Sequence, residues 1–286
     1  MSSWSILELI RWTTSYLAGK GLPQPRLDAE LLLADTLGTK RLDLYLQYDR
    51  PLLPAELAAF KARLLRRAQR EPVQYIAGDA AFRNLRLRVD RRVLIPRPET
   101  EVLVDHVLTW SGAHGARTAV DIGTGSGAIA LSLASEGQSF ERIVATDVSA
   151  DALEVARENL VALAPRVPVE LRLGPSFAPI AGEQFDVIVS NPPYIGETEL
   201  PTLDPEVREW EPAAALFSGG DGLTLIRELV TEAPGYLRPG GLLALEIGAD
   251  QADEVSRLIR GTGRYGEPVV RLDFAGRDRI VMAELL

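Results

Sequence analysis

The chain has 286 residues, 46% of them hydrophobic, which allows one large domain or a catalytic domain beside a small one and excludes a disordered chain. It has no cysteine and only two histidines, His106 and His114, so disulfides, thiolate chemistry and a cysteine- or histidine-rich metal site are excluded and no metal is expected. A net charge of −9 repels phosphate backbones, and neither a membrane-length apolar run nor a signal-peptide pattern is present, so the expectation is a cytoplasmic protein with no membrane contact and no direct nucleic-acid binding.

Residues 5 to about 70 are rich in Leu, Ala, Arg and Glu and read as a small helical bundle. Leu27 to Ala34 has helical composition and Gly38 is a natural stop. Pro54 suits the first turn of a helix running through Ala55 to Phe60. From Pro72 to Pro96 the period changes. Leu85-Arg86-Leu87-Arg88-Val89 alternates apolar and basic residues, as a half-exposed strand does, and with Val73-Gln74-Tyr75-Ile76 before it the stretch predicts a linking β-hairpin. Its basic face (Arg83, Arg86, Arg88, Arg91 and Arg92) is either a solvated strand face or a contact for an acidic partner.

Beyond Pro98, strands and helices alternate. Helices are expected over 99–110, 128–135, 150–163, 222–233 and 251–259. Strands are expected over 118–122, 142–146, 169–173, 185–190, 242–246, 269–273 and 279–284. This alternation predicts an α/β fold with a mostly parallel sheet covered by helices on both faces. The last two strands have no helix between them and are expected to pair antiparallel at one edge. The domain boundaries expected are 1–71 for the helical region, 72–96 for the hairpin linker and 97–286 for the α/β domain.

Two motifs carry chemistry. In the first, strand 118–122 runs into Gly123-Thr124-Gly125-Ser126-Gly127 and then a helix. Glycines permit a sharp turn and a close approach of ligand to main chain, and in an open α/β sheet this turn lies where ligands bind. The next strand ends in Asp147, a carboxylate suited to a ribose diol. The loop fits a nicotinamide dinucleotide or S-adenosylmethionine; Asp121, just before the glycines, favours the cationic ligand over a pyrophosphate. In the second motif, strand 185–190 enters Asn191-Pro192-Pro193-Tyr194. The prolines stiffen the loop and remove two backbone donors. The Asn191 side-chain oxygen and the Pro192 carbonyl can then accept the two hydrogens of one NH₂ group, beside a flat Tyr194 wall. The competing reading is a rigid proline turn.

Asp121 to Gly127, Asp147 and Asn191 to Tyr194 together resemble the class I S-adenosylmethionine-dependent methyltransferases of the Asn-Pro-Pro-Tyr group. Glu71 to Gly78 with Phe82, Val93 to Glu101, Glu211-Pro212-Ala213, Gly219 to Leu223 and Gly276 to Arg279 narrow this further. They resemble the release-factor glutamine N5-methyltransferases, the HemK/PrmC family, over nearly the whole chain. The resemblance implies a Rossmann-like domain with a helical N-terminal region that grips the substrate, a class 1 peptide chain release factor. It implies that Gly123 to Gly127 wrap the methionine part of the cofactor, that Asp147 holds its ribose and that Asn191 touches it. Asn191, Pro192, Pro193 and Tyr194 would bind the glutamine of a Gly-Gly-Gln tripeptide, with Asn191, Pro192 and Tyr194 as the catalytic group. Many relatives have an aromatic residue beside the adenine shortly after the third strand; here Ser176 aligns with it and Phe177 follows. The alternatives are a glutamine methyltransferase of a ribosomal protein, a DNA or RNA amino-methyltransferase, a nicotinamide dehydrogenase and a non-catalytic cofactor-binding protein. His106 and His114 read as structural or solvated, Glu246 as lining the cleft or ending a strand, and Arg97 and Thr100 as closing the cleft or starting a helix.

Overall fold

A computed structural model describes residues 4–286. In chain order the elements are α1 (Ile6–Gly19), α2 (Pro25–Leu37), α3 (Arg41–Leu46), α4 (Pro54–Ala68), α5 (Val73–Ala77), β1 (Asp79–Phe82), β2 (Leu85–Arg88), α6 (Pro98–His114), β3 (Thr118–Ile122), α7 (Ala128–Glu136), β4 (Arg142–Asp147), α8 (Ala150–Leu163), β5 (Val169–Leu173), β6 (Phe185–Ser190), α9 (Pro205–Trp210), α10 (Thr224–Glu232), β7 (Leu237–Glu246), α11 (Ala252–Thr262), β8 (Val269–Leu272) and β9 (Asp278–Glu284). They form two compact units: the chain up to Asp79 with Asp204–Trp210, and Ala80–Leu203 with Glu211–Leu286.

The first unit is helical. A capping box at Ser5 and Glu8 starts α1, proline opens α2 and α4, and α2 stops at Gly38 in the left-handed conformation, φ 62°. Leu17, Leu32, Leu33, Leu44 and Phe60 are buried at its centre. Arg67 is also buried; its guanidinium donates to Asp28 at 2.7 Å and to Glu206, on α9, at 3.1 Å. The strand expected at Val73 to Ile76 is instead the single-turn helix α5. Pro72 caps its start and Gly78, at φ 82°, ends it, while Val73, Tyr75 and Ile76 are buried. The hairpin is therefore made by β1 and β2 alone.

The second unit is built on a seven-stranded sheet in the order β5-β4-β3-β6-β7-β9-β8. The first five strands are parallel, and β9 runs antiparallel to both β7 and β8, as the missing helix before it predicts. Strand parity divides the core. Ala119, Ile143 and Val187 face one layer with Leu103 and Val107 of α6 and Leu131 and Leu133 of α7. Val120, Ile188 and Leu243 face the other with Ile226 and Leu229 of α10 and Val255 and Ile259 of α11. In β2 the alternation holds: Leu87 is buried and Arg86 and Arg88 are exposed.

Candidate active site

From β3 the chain moves outward to β4 and β5, then returns to place β6 on the other side of β3. The strand order reverses there, and the crevice at the carboxyl ends of β3 and β6 is where an open α/β sheet binds ligands. Asp121 pairs with Val189, so the glycine loop and the tetrapeptide leave the sheet side by side. Ser190 Oγ donates to the Ile122 carbonyl at 2.6 Å and ties the two strand ends together. The cleft encloses about 840 Å³, including space open to solvent. Ile122, Gly123, Gly125, Asp147, Ser149, Ser176, Asn191, Pro193, Pro212 and Ala215 are among the residues that line it, with Arg92 to Leu94 from the segment after β2.

Gly123 (φ 77°) and Gly125 (φ 56°) take backbone conformations that favour glycine, and a Cβ on either would meet no atom within 4 Å. The loop main chain therefore lies bare to the cleft. Gly127 serves packing instead: a Cβ there would come within 2.9 Å of Leu131 Cδ1. Asp147 is oriented by backbone donors, Gly125 N–H to Oδ2 at 2.8 Å and Ser149 N–H to Oδ1 at 2.9 Å with Val148 N–H beside them, and its two oxygens still have acceptor capacity to spare. Burial pushes its pKa up. Asp121, expected beside the cationic end of a cofactor, is instead wholly buried beneath the loop. It accepts from Thr124 Oγ1 at 2.6 Å and from Ala130 N–H at 3.2 Å. Burial pushes its carboxyl up to about 7. Thr124 and Ser126 are buried with it. The Ser126 carbonyl accepts from Asn159 Nδ2 at 2.9 Å, and the same Asn159 amide exchanges two hydrogen bonds with the Arg88 backbone, clamping the loop to β2.

At the tetrapeptide, Asn191 Nδ2 donates to Thr100 Oγ1 at 3.0 Å, and Thr100 Oγ1 donates to Glu246 Oε2 at 2.6 Å. Asn191 Oδ1 takes no hydrogen bond among the described residues, nor does the Pro192 carbonyl from any backbone group. Asn191 lines the cleft with Pro193, whereas Pro192 is buried and is not among the residues that line it. Gln251 Nε2 donates to the Tyr194 carbonyl at 2.9 Å. Gly222 (φ 75°) passes so close that a Cβ on it would stand 2.1 Å from that carbonyl oxygen. The Tyr194 ring lies 6.0 Å from the Arg279 guanidinium, and burial pushes its phenol up to about 12, so it stays neutral.

Of the two residues expected near an adenine, Ser176 lines the cleft, while Phe177 is buried and stacked on Tyr236 at 4.5 Å between ring centroids. Arg97 pairs with buried Glu211 at 2.5 Å, which ties the start of α6 to the segment holding Pro212. Thr100 and Glu246 do more than start a helix and end a strand, as the Asn191 contact shows. His114 ends α6 and stacks on Trp110 at 4.3 Å between ring centroids. His106 is half-buried on the same helix. Three of the five basic residues named for the hairpin are met from within: Arg83 by Glu136 and Asp105, Arg88 by Glu158, and Arg92 by Asp90. No helix among the described residues is long and apolar enough to cross a membrane.

A sheet of this order with both motifs at its switch point defines a Rossmann-like class I methyltransferase. The fold is shared with a methyltransferase from Pyrococcus furiosus (TM-score 0.52, 21% identity, covering 78% of this chain and 96% of that one). It is shared too with the hMettl16 catalytic domain, solved with an RNA hairpin (TM-score 0.54, 16% identity, 83% and 84% covered). Residues 8–78 match the model of the PrmC N-terminal domain and residues 98–203 that of the methyltransferase small domain. Release factor glutamine methyltransferases from Chlorobaculum tepidum and Geobacter sulfurreducens are 45% and 44% identical, over 96% and 97% of this chain and 96% of each relative. The chain belongs to the release factor glutamine methyltransferase family.

Proposed function

We propose that this enzyme methylates the side-chain amide nitrogen, N5, of the glutamine in the Gly-Gly-Gln motif of class 1 peptide chain release factors, with S-adenosylmethionine as methyl donor. The observation that carries it is one cleft lined both by the bare glycine loop with Asp147 and by Asn191 and Pro193. The residues present fit the donor. The open main chain at Gly123 and Gly125 would accommodate its methionine part, Asp147 has acceptor capacity left for the ribose, and Ser176 lines the same cleft and would border the base. When bound, the sulfonium supplies an already activated methyl group.

The chain's own contribution is at the substrate nitrogen. An amide is a poor nucleophile because its lone pair is delocalised into the carbonyl. Asn191 Oδ1 and the Pro192 carbonyl accept the two amide hydrogens, hold the NH₂ in one orientation and raise electron density on nitrogen. Pro193 keeps the loop stiff and the Tyr194 ring bounds the flat group. Both acceptors gain strength as nitrogen becomes positive, so they favour the transition state over the ground state. No strong base is required, because the proton leaves readily from a cationic nitrogen; a phenol near 12 could not serve as one. The helical region 1–71 grips the release factor, the segment 72–96 carries the hairpin link, and 97–286 performs the transfer. Incubation with labelled donor and intact release factor, a ribosomal protein or an oligonucleotide tests the substrate. Label is expected on the Gly-Gly-Gln glutamine by mass spectrometry, and label only on another substrate would refute the proposal.

A further inference from the structure

We propose that Thr100 and Glu246 are positioning residues that fix which edge of the Asn191 amide faces the cleft; this rests on the reading of Asn191 as the acceptor for the substrate amide. Glu246 ends β7, one residue past the Ser190↔Leu245 pair, level with Asn191 across the strands. It is wholly buried, and its Oε1 has no hydrogen-bond partner among the described residues. The Thr100 hydroxyl is its hydrogen-bond donor, while Arg97 and Arg279 favour its charged form without offsetting the cost of burial.

The logic follows from counting protons. A hydroxyl has one proton and accepts with its lone pairs. With Glu246 ionised, its carboxylate has no proton to offer, so Thr100, buried in the first turn of α6, gives its proton to that carboxylate at 2.6 Å. Its oxygen can then only accept. Asn191 must therefore present NH₂ to Thr100, at 3.0 Å, and turn Oδ1 away from it. With the amide reversed, two oxygens would face each other with no proton between them. A free asparagine has two amide faces of similar shape, and the wrong one would offer donors to a substrate NH₂ that is itself all donor. The chain Glu246–Thr100–Asn191 selects the productive face before any substrate arrives, which is preorganisation of the acceptor.

The test compares Thr100→Val, which keeps shape and loses the hydroxyl, with Thr100→Ser, which keeps the hydroxyl. The first readout needs no substrate: hydrogen exchange of the Asn191 side-chain NH₂ in the free enzyme, its signals assigned by their loss in Asn191→Asp. The second is kcat and KM on intact release factor, with donor affinity measured by calorimetry. Thr100→Val should speed exchange by about tenfold or more and lower kcat roughly ten- to a hundredfold, with donor affinity unchanged. Thr100→Ser should restore both. Glu246→Gln, whose amide no longer obliges Thr100 to donate to it, should also speed exchange, and covers the case in which the valine variant fails to fold. Wild-type exchange in both folded variants would overturn the proposal, as would Thr100→Ser behaving like valine. Wild-type enzyme that leaves the release factor unmethylated would refute the functional reading alone, and the exchange rates would still decide the positioning role.

Discussion

Asn159 lies outside the cleft, yet its loss should be felt both in stability and at the cofactor site. The side chain is 2% exposed. It accepts from Arg88 N–H at 2.6 Å and donates to the Arg88 and Ser126 carbonyls at 3.0 and 2.9 Å. Asn159→Ala removes all three bonds. The Ser126 carbonyl is buried, and leaving it without a donor costs about 1–3 kcal/mol; the two at the half-buried Arg88 backbone cost about 0.5–1.5 kcal/mol each. The sum is roughly 2–6 kcal/mol, a large part of the stability of a typical domain. Urea titration should show a lower midpoint at unchanged slope. Calorimetry should show weaker S-adenosylmethionine binding, because the released carbonyl belongs to the glycine loop. Asn159→Asp separates hydrogen bonding from shape. It is nearly isosteric, but it faces two carbonyl oxygens with a carboxylate in place of NH₂, so it should destabilise at least as much as alanine. A loss under about 0.5 kcal/mol for Asn159→Ala, or a harmless aspartate, would refute the reasoning.

Asn191→Ala should lower turnover by on the order of a hundred- to a thousandfold while leaving most donor affinity, and Asn191→Asp should retain more activity than alanine; single-turnover methylation with calorimetry checks both. Asp147→Ala should weaken S-adenosylmethionine binding by about 1–3 kcal/mol, read by titration calorimetry. Asp121 and Glu246, both raised to about 7 by burial, bind protons more tightly folded than unfolded. Their contribution is therefore fully present below the ordinary carboxylate range and is lost as pH rises to about 7. For Glu246 the interval from 4.5 to about 7 corresponds to roughly 3 kcal/mol. Denaturant titrations should show a falling contribution between pH 5 and 7.5 that Glu246→Gln reduces.

Much of the second unit was legible because its central strands β3, β4, β6 and β7 are largely buried and apolar and are followed by strong turn residues. The bounds 118–122, 150–163, 169–173 and 185–190 are those observed. Val73 to Ile76 misled because β-branched and aromatic residues favour strands, whereas Pro72 and Gly78 frame a helical turn and burial completes it. The two site motifs were legible as main-chain features, glycines and prolines. Side-chain direction was not. Asp121 adjoins the loop in sequence but points beneath it, and packing against Tyr236 takes Phe177 from the cleft that Ser176 lines. The tie of Thr100 to Glu246 spans 146 residues, and only the sheet brings them together.

The helical unit is completed by α9, drawn from far along the chain, so the polypeptide passes between the two units after Asp79, before Asp204 and after Trp210. Buried Arg67 depends on that excursion, since one of its two carboxylates is Glu206. A fragment ending at residue 79 would carry a buried guanidinium short of a counter-charge. The two units are thus not beads that a single cut would free. Cutting or recombining genes at the first boundary would yield two damaged pieces, so the helical and methyl-transferring parts of this protein have to be inherited, exchanged and engineered together.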